Sequence, residues 1–141
     1  MASRWRSAGA GAAAAIVWGL QEPLDQRLFR SDYSDIALLG KAVSGRHWRP
    51  IGLAMHALNG AAFGLAFDLV RRRTDAKVVT LAVGSAVAEN AALWPLCALV
   101  DRYHPARGER GLPPLARNGR AFAQATWRHA LFGAVLGVLA R

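Results

Sequence analysis

Two uncharged or nearly uncharged apolar runs of about twenty residues, no β-type alternation beyond chance, and a nonapeptide that recurs 73 residues later predict the fold class. It is an all-α polytopic membrane protein of four transmembrane helices, formed by a tandem two-helix repeat. The 141 residues make one domain, with unit one at about 8–70 and unit two at about 78–140. Hydrophobic residues make up 53% of the chain and mean hydropathy is +0.16, above ordinary soluble domains. Fourteen Gly and five Trp suit membrane helices, where glycine admits close backbones and Trp marks the interfaces.

The first span is expected at residues 8–24, free of charge until Glu22 and broken by Pro23. Arg4 and Arg6 before an Ala-rich stretch also fit a signal peptide, but the later repeat favours a retained helix. A long loop follows. Within it, residues 35–43 place Ile36, Leu39 and Val43 on one face, predicting a short helix on the membrane surface or packed over the bundle. The second span, residues 51–70, opens after Pro50 and closes at Arg71, Arg72 and Arg73. The third, residues 78–100, is interrupted by Glu89, Asn90 and the kink-capable Pro95. A polar loop leads to Asn118, a good N-cap, and to a fourth helix ending at Ala140. Arg120, Gln124 and Arg128, four apart, give its early part a polar face that starts in the headgroups or against protein. A soluble Ala-rich four-helix bundle is the competing reading, and the two long spans without a regular polar stripe argue against it. Trp48, Trp94 and Trp127 near one set of ends suit an interfacial belt.

The repeat is His-Ala-Leu-Asn-Gly-Ala-Ala-Phe-Gly at 56–64 against His-Ala-Leu-Phe-Gly-Ala-Val-Leu-Gly at 129–137, identical at six of nine positions. Glu22-Pro23-Leu24 and Trp94-Pro95-Leu96 fall 72 residues apart, so a duplication with one inserted residue explains both offsets. Two spans per unit bring both copies into the membrane from the same side, with equivalent residues at equal depth. Spacing by four puts His56, Gly60 and Gly64 on one face of the second span, and His129, Gly133 and Gly137 on one face of the fourth. The economical packing sets these two faces together, with the histidines facing each other one turn beyond the crossing.

An ionisable residue inside a membrane is expensive and marks a candidate site. The pocket set is His56, Asn59, Glu89, Asn90, His129 and Glu22, with Asp25, Asp101 and His104 near helix ends. Three chemistries fit it. His56, His129 and Glu89 have the ligand types of a divalent metal site. The paired histidines resemble haem axial ligands in type, but GxxxG contact leaves too little room for a porphyrin. A pocket for a small polar or amphiphilic ligand, with proton relay through Glu89 and the histidines, is the third and the favoured one. The alternatives are a purely structural helix-packing or accessory subunit, and a membrane enzyme acting on lipid by acid/base chemistry. No nucleophile motif, P-loop or GxGxxG is present, so neither an enzyme class nor a cofactor is specified.

A net charge of +9 need not mean nucleic acid, because the basic residues lie between apolar runs instead of forming a stripe. The lipid bilayer is the expected partner, with room for a homodimer or a place in a larger membrane complex. Cys97 stands alone and excludes an internal disulfide. Seven basic residues lie in short segments on the side of the termini, against about ten in two long loops. The density of the short segments favours a plasma-membrane location with both termini cytoplasmic.

Overall fold

The computed structural model describes residues 2–141, and among them there is no strand. The helices are α1 (Ala2–Phe29), α2 (Asp35–Val43), α3 (Trp48–Arg71), α4 (Val78–Leu93), α5 (Cys97–Tyr103) and α6 (Gly119–Leu139). A single 3-10 turn, Trp94–Leu96, joins α4 to α5, where Pro95 removes a backbone donor and tightens the helix. By length and composition two helices are apolar enough to cross a membrane, Trp48–Arg71 and the α4–α5 rod Val78–Tyr103.

The short helix falls where its apolar spacing puts it. Ser34 caps it by accepting from the Ala37 amide, and Ile36, Ala37 and Gly40 are buried. Its partner is α3, so of its two expected settings it takes the one packed against protein. Asn118 caps α6 in the same way, through the Ala121 amide. By contrast, α1 begins well before residue 8 and runs through Pro23 to Phe29, where the sequence predicts a break. The last turns of α1 survive because Glu22 and Asp25 have fixed partners in other elements, and these tertiary bonds outweigh the donor lost at Pro23.

Packing follows the two halves of the chain. Helix α1 lies along α3 and α4 lies along α6, and α1 also contacts α6. The glycines explain the closeness. A Cβ on Gly60 would meet the Gly11 carbonyl and stand 2.7 Å from the Ala15 Cβ, and one on Gly64 would meet the Ser7 carbonyl. On α6, a Cβ on Gly133 would stand 2.6 Å from the Val83 Cα, and one on Gly137 would stand 2.7 Å from the Val79 Cα. The glycine faces of α3 and α6 therefore do not pack against each other, as the sequence reading expects; each closes on the first helix of its own half. The small residues of α1, Gly11 and Ala15, and of α4, Ala82 and Val83, supply the matching surfaces that the nonapeptide alone does not reveal.

At the end of the fold that holds both termini, fully buried Asp68 pairs with Arg71 and Arg72 at 2.9 Å, and Arg71 donates to the Ala140 carbonyl. At the opposite end the 104–118 segment closes over α2. His104 donates from Nε2 to the Leu38 carbonyl, Asp101 accepts from the amides of Leu115 and Ala116, and Gly111, at φ +89°, donates its amide to the Asp32 carboxylate and accepts from the Ser34 amide. A side chain at 111 is doubly excluded, because its Cβ would stand 3.0 Å from that of Ala37.

Leucine at either Gly60 or Gly133 should part a helix pair and cost about 1–3 kcal/mol or more, read as a fall in thermal unfolding temperature of the detergent-purified protein. An unchanged transition for one variant would mean that its helix pair does not close at that glycine.

Candidate functional site

Arg128 stands four residues after Gln124 on α6, and both side chains turn into the protein, where they are fully buried. Such a guanidinium needs partners for all its donors. Its Nε and Nη2 donate in parallel to the two oxygens of Asp25 at 2.6 Å, the bidentate geometry that suits arginine and carboxylate. Nη1 reaches Asp35 at 2.8 Å and Glu22 at 3.3 Å, and Nη2 also reaches the Tyr33 carbonyl. Gln124 and Gln21 donate to Asp25 as well. Glu22 accepts from the Ser34 hydroxyl and the Asp35 amide, which ties α1 to the start of α2. One cation thus joins α6, α1, the 30–34 turn and α2.

Asp35 carries this cluster to a half-open cavity of about 200 Å³ lined by α1, α2, α3, α4 and α6. It accepts from the Tyr33 hydroxyl at 2.8 Å and from the Trp18 indole Nε1 at 3.2 Å. Burial alone would raise its carboxyl, but Arg128, aided by His56 and the Tyr33 hydroxyl, outweighs that and holds it below the ordinary carboxylate range. Burial first, then the charge of Asp35, pushes the Tyr33 phenol well above its ordinary value, so it stays a donor.

Inside the cavity the Trp18 ring stands edge-on between the two repeat histidines, 4.7 Å from His56 and 4.6 Å from His129, centroid to centroid. His129 uses Nδ1 to donate to the Ala125 carbonyl at 2.8 Å, and its Nε2 lies 4.0 Å from Glu89 Oε2. His56 is 8% exposed and its Nε2 has no hydrogen-bond partner. Asn59, Phe63 and Phe132 complete the wall that matters chemically.

Of the expected pocket residues, His56, Asn59, Glu89 and His129 meet at this cavity and two do not. Asn90 is turned the other way and donates to Thr126, pinning α4 to α6. Glu22 belongs to the Arg128 cluster and borders a different cavity, beside Lys41, Trp48 and Arg49. Of the residues named for a metal, Glu89 lies 4.0 Å from His129 Nε2, and the Trp18 indole packs against both imidazoles. Among the described residues no three His, Cys, Asp or Glu side chains are grouped to hold an ion. Sequence reasoning missed Asp35, Tyr33 and Trp18, placed Asp25 only near a helix end, and read Arg128 only as part of a polar face. The available signal was the i, i+4 pair Gln124 and Arg128 on an otherwise apolar helix, which demanded buried acceptors elsewhere in the chain.

The class these features define is an all-helical protein with two helices able to cross a membrane and a polar cluster at its centre. The chain matches no protein-family model, no curated protein and no solved structure.

The depressed carboxyl of Asp35 sets a pH dependence. A group held lower in the folded state than in the unfolded one contributes stability above the unfolded value, near 4, and loses it as pH falls through the folded value. Thermal stability should therefore decline in acid below about pH 4, and Asp35→Asn, already less stable at pH 7, should show a shallower decline. An Asp35→Asn profile parallel to that of the unaltered protein would show that this carboxylate does not bind Arg128 as described.

Proposed function

We propose that this chain is a multi-pass protein of the plasma membrane, crossing with four helices arranged as two related pairs, and that its central cavity binds or moves a small polar or amphiphilic ligand. The distribution of side chains supports the membrane setting. Only 28% of the apolar window of α3 and 11% of that of α4–α5 is buried within the chain, whereas the core helix of a water-soluble protein is mostly covered. Leu20, Leu24, Leu28 and Leu58 lie 68–73% exposed while Asp25, Asp68, Gln124 and Arg128 are at most 2% exposed. Lipid favours that inside-out pattern and water opposes it. The pairing of α1 with α3 and of α4 with α6, each through the glycines that follow the nonapeptide histidine, suits a duplicated two-helix unit. Both termini then lie on one side, which the dense basic segments assign to the cytoplasm. A homodimer or a larger complex is compatible with the exposed apolar faces.

The observation that carries the ligand reading is His56: a buried imidazole on a cavity wall with one nitrogen unsatisfied, a state that costs about 1–3 kcal/mol until something bonds to it. The structural alternative, histidines that only specify helix packing, draws on the stacking of both rings against Trp18.

The membrane setting predicts that alkaline carbonate leaves the protein in the pellet; release to the supernatant would restore a soluble bundle. The cavity predicts that at least one of benzylamine, benzyl alcohol and benzoate raises the thermal transition of the detergent-purified protein. Asn59→Trp, at an exposed position of the cavity wall, should abolish the rise without unfolding the chain. If none of the three has an effect, the cavity is a packing defect and not a site.

A further inference from the structure

We infer that the cavity is built for an organic cation, a primary or secondary ammonium carried on a small apolar body. The inference rests on the ligand-binding reading above and narrows it by the polarity of the wall. Around the cavity stand polar groups of the kind that an ammonium engages. His129 uses Nδ1 on the Ala125 carbonyl, and its Nε2 lies 4.0 Å from Glu89 Oε2, beyond direct hydrogen-bond distance. An ammonium nitrogen beside that gap can direct one N–H to the Glu89 carboxylate and another to a second polar group of the wall. His56 stands on the same wall, and its fully buried Nε2 lacks any partner. An ammonium group supplies several donors from one atom, and a carboxylate ligand supplies none.

Charge points the same way. The wall contains Asp35 and Glu89, and no lysine or arginine lines it. The one buried guanidinium nearby, Arg128, is already shared among Asp25, Asp35 and Glu22, so carboxylates outnumber cations around the cavity. The rings of Trp18, Phe63 and Phe132 line the remaining surface, and their faces attract a cation and accept an apolar body equally well. A volume of about 200 Å³ suits a group of about the size of one benzene ring with a short polar arm. Nothing in the wall would favour an anion, which would meet Glu89 and Asp35 without a compensating positive group.

The test is calorimetric titration of the intact protein in detergent at pH 7 with benzylamine, which is protonated there, and with its neutral and anionic counterparts, benzyl alcohol and benzoate. The expected order is benzylamine tightest and benzoate weakest. Glu89→Gln, at a half-exposed position that leaves the helix contacts intact, should weaken benzylamine by roughly tenfold or more and leave benzyl alcohol unchanged, as loss of one charge-assisted bond requires. Equal or tighter binding of benzyl alcohol or benzoate would overturn the cation assignment while leaving a ligand site. Benzylamine binding that Glu89→Gln does not alter would also overturn it. Failure of all three compounds to bind would remove the site itself.

Discussion

The fully buried guanidinium of Arg128 constrains more of this structure than any other group. Three carboxylates and a backbone carbonyl converge on it from α1, the 30–34 turn and α2. Removing Arg128 would leave Asp25 and Asp35 as buried carboxylates without their cation, where the penalty is several kcal/mol. The cluster adds directional bonds to the apolar core that α1, α3, α4 and α6 share. It fixes the rotation of α6 about its own axis, because Gln124 and Arg128 must face Asp25, and that rotation sets where His129, Phe132 and Gly133 point. It also accounts for the persistence of α1 beyond Pro23.

The cavity is a consequence of the same constraint. Asp35 belongs to both, taking Arg128 on one side and the Trp18 indole on the other. With Nε1 so held, the Trp18 ring is locked edge-on between His56 and His129, and the two halves of the chain meet through α1 instead of through their glycine faces. The glycines bring backbones together within each half and leave space between the halves. An ion cluster at one end, Asp68 with its two arginines at the other, and close glycine contacts along each pair frame a half-open, largely apolar cavity with a few polar groups on its wall.

What the sequence made legible was periodic or local. The short helix at residues 35–43, the cap at Asn118, the 3-10 break at Pro95 and the long apolar rods all follow from spacing, capping chemistry and the missing donor of proline. His56, Asn59, Glu89 and His129 line one cavity, although the α3 and α6 glycine faces close on other helices than the sequence suggests. Pairings set by side chains distant in sequence were illegible. Nothing local in Asp35 distinguishes a helix-starting carboxylate from one that binds an arginine 93 residues away. The glycine faces of α3 and α6 looked complementary to each other because small-residue surfaces are interchangeable; only the three-dimensional position of α1, held by the charge cluster, decides which pair closes. Asn90 shows the same limit: its polarity marked it for the pocket, while its place on α4 turns it to Thr126.

If Arg128 and Asp25 form the central bond of this architecture, their contributions to stability cannot be independent. A double-mutant cycle with Arg128→Met, Asp25→Leu and both changes together, measured by reversible unfolding in detergent, tests this directly. Arg128→Met should cost about 3–5 kcal/mol, since it leaves buried carboxylates without their cation, and Asp25→Leu should cost less, because Asp35 and Glu22 still hold the guanidinium. The double variant should lose less than the sum of the two, giving a coupling of about 2 kcal/mol or more. Strictly additive effects, with coupling within about 0.5 kcal/mol of zero, would show that the two groups do not meet and would contradict the account of how this fold is held.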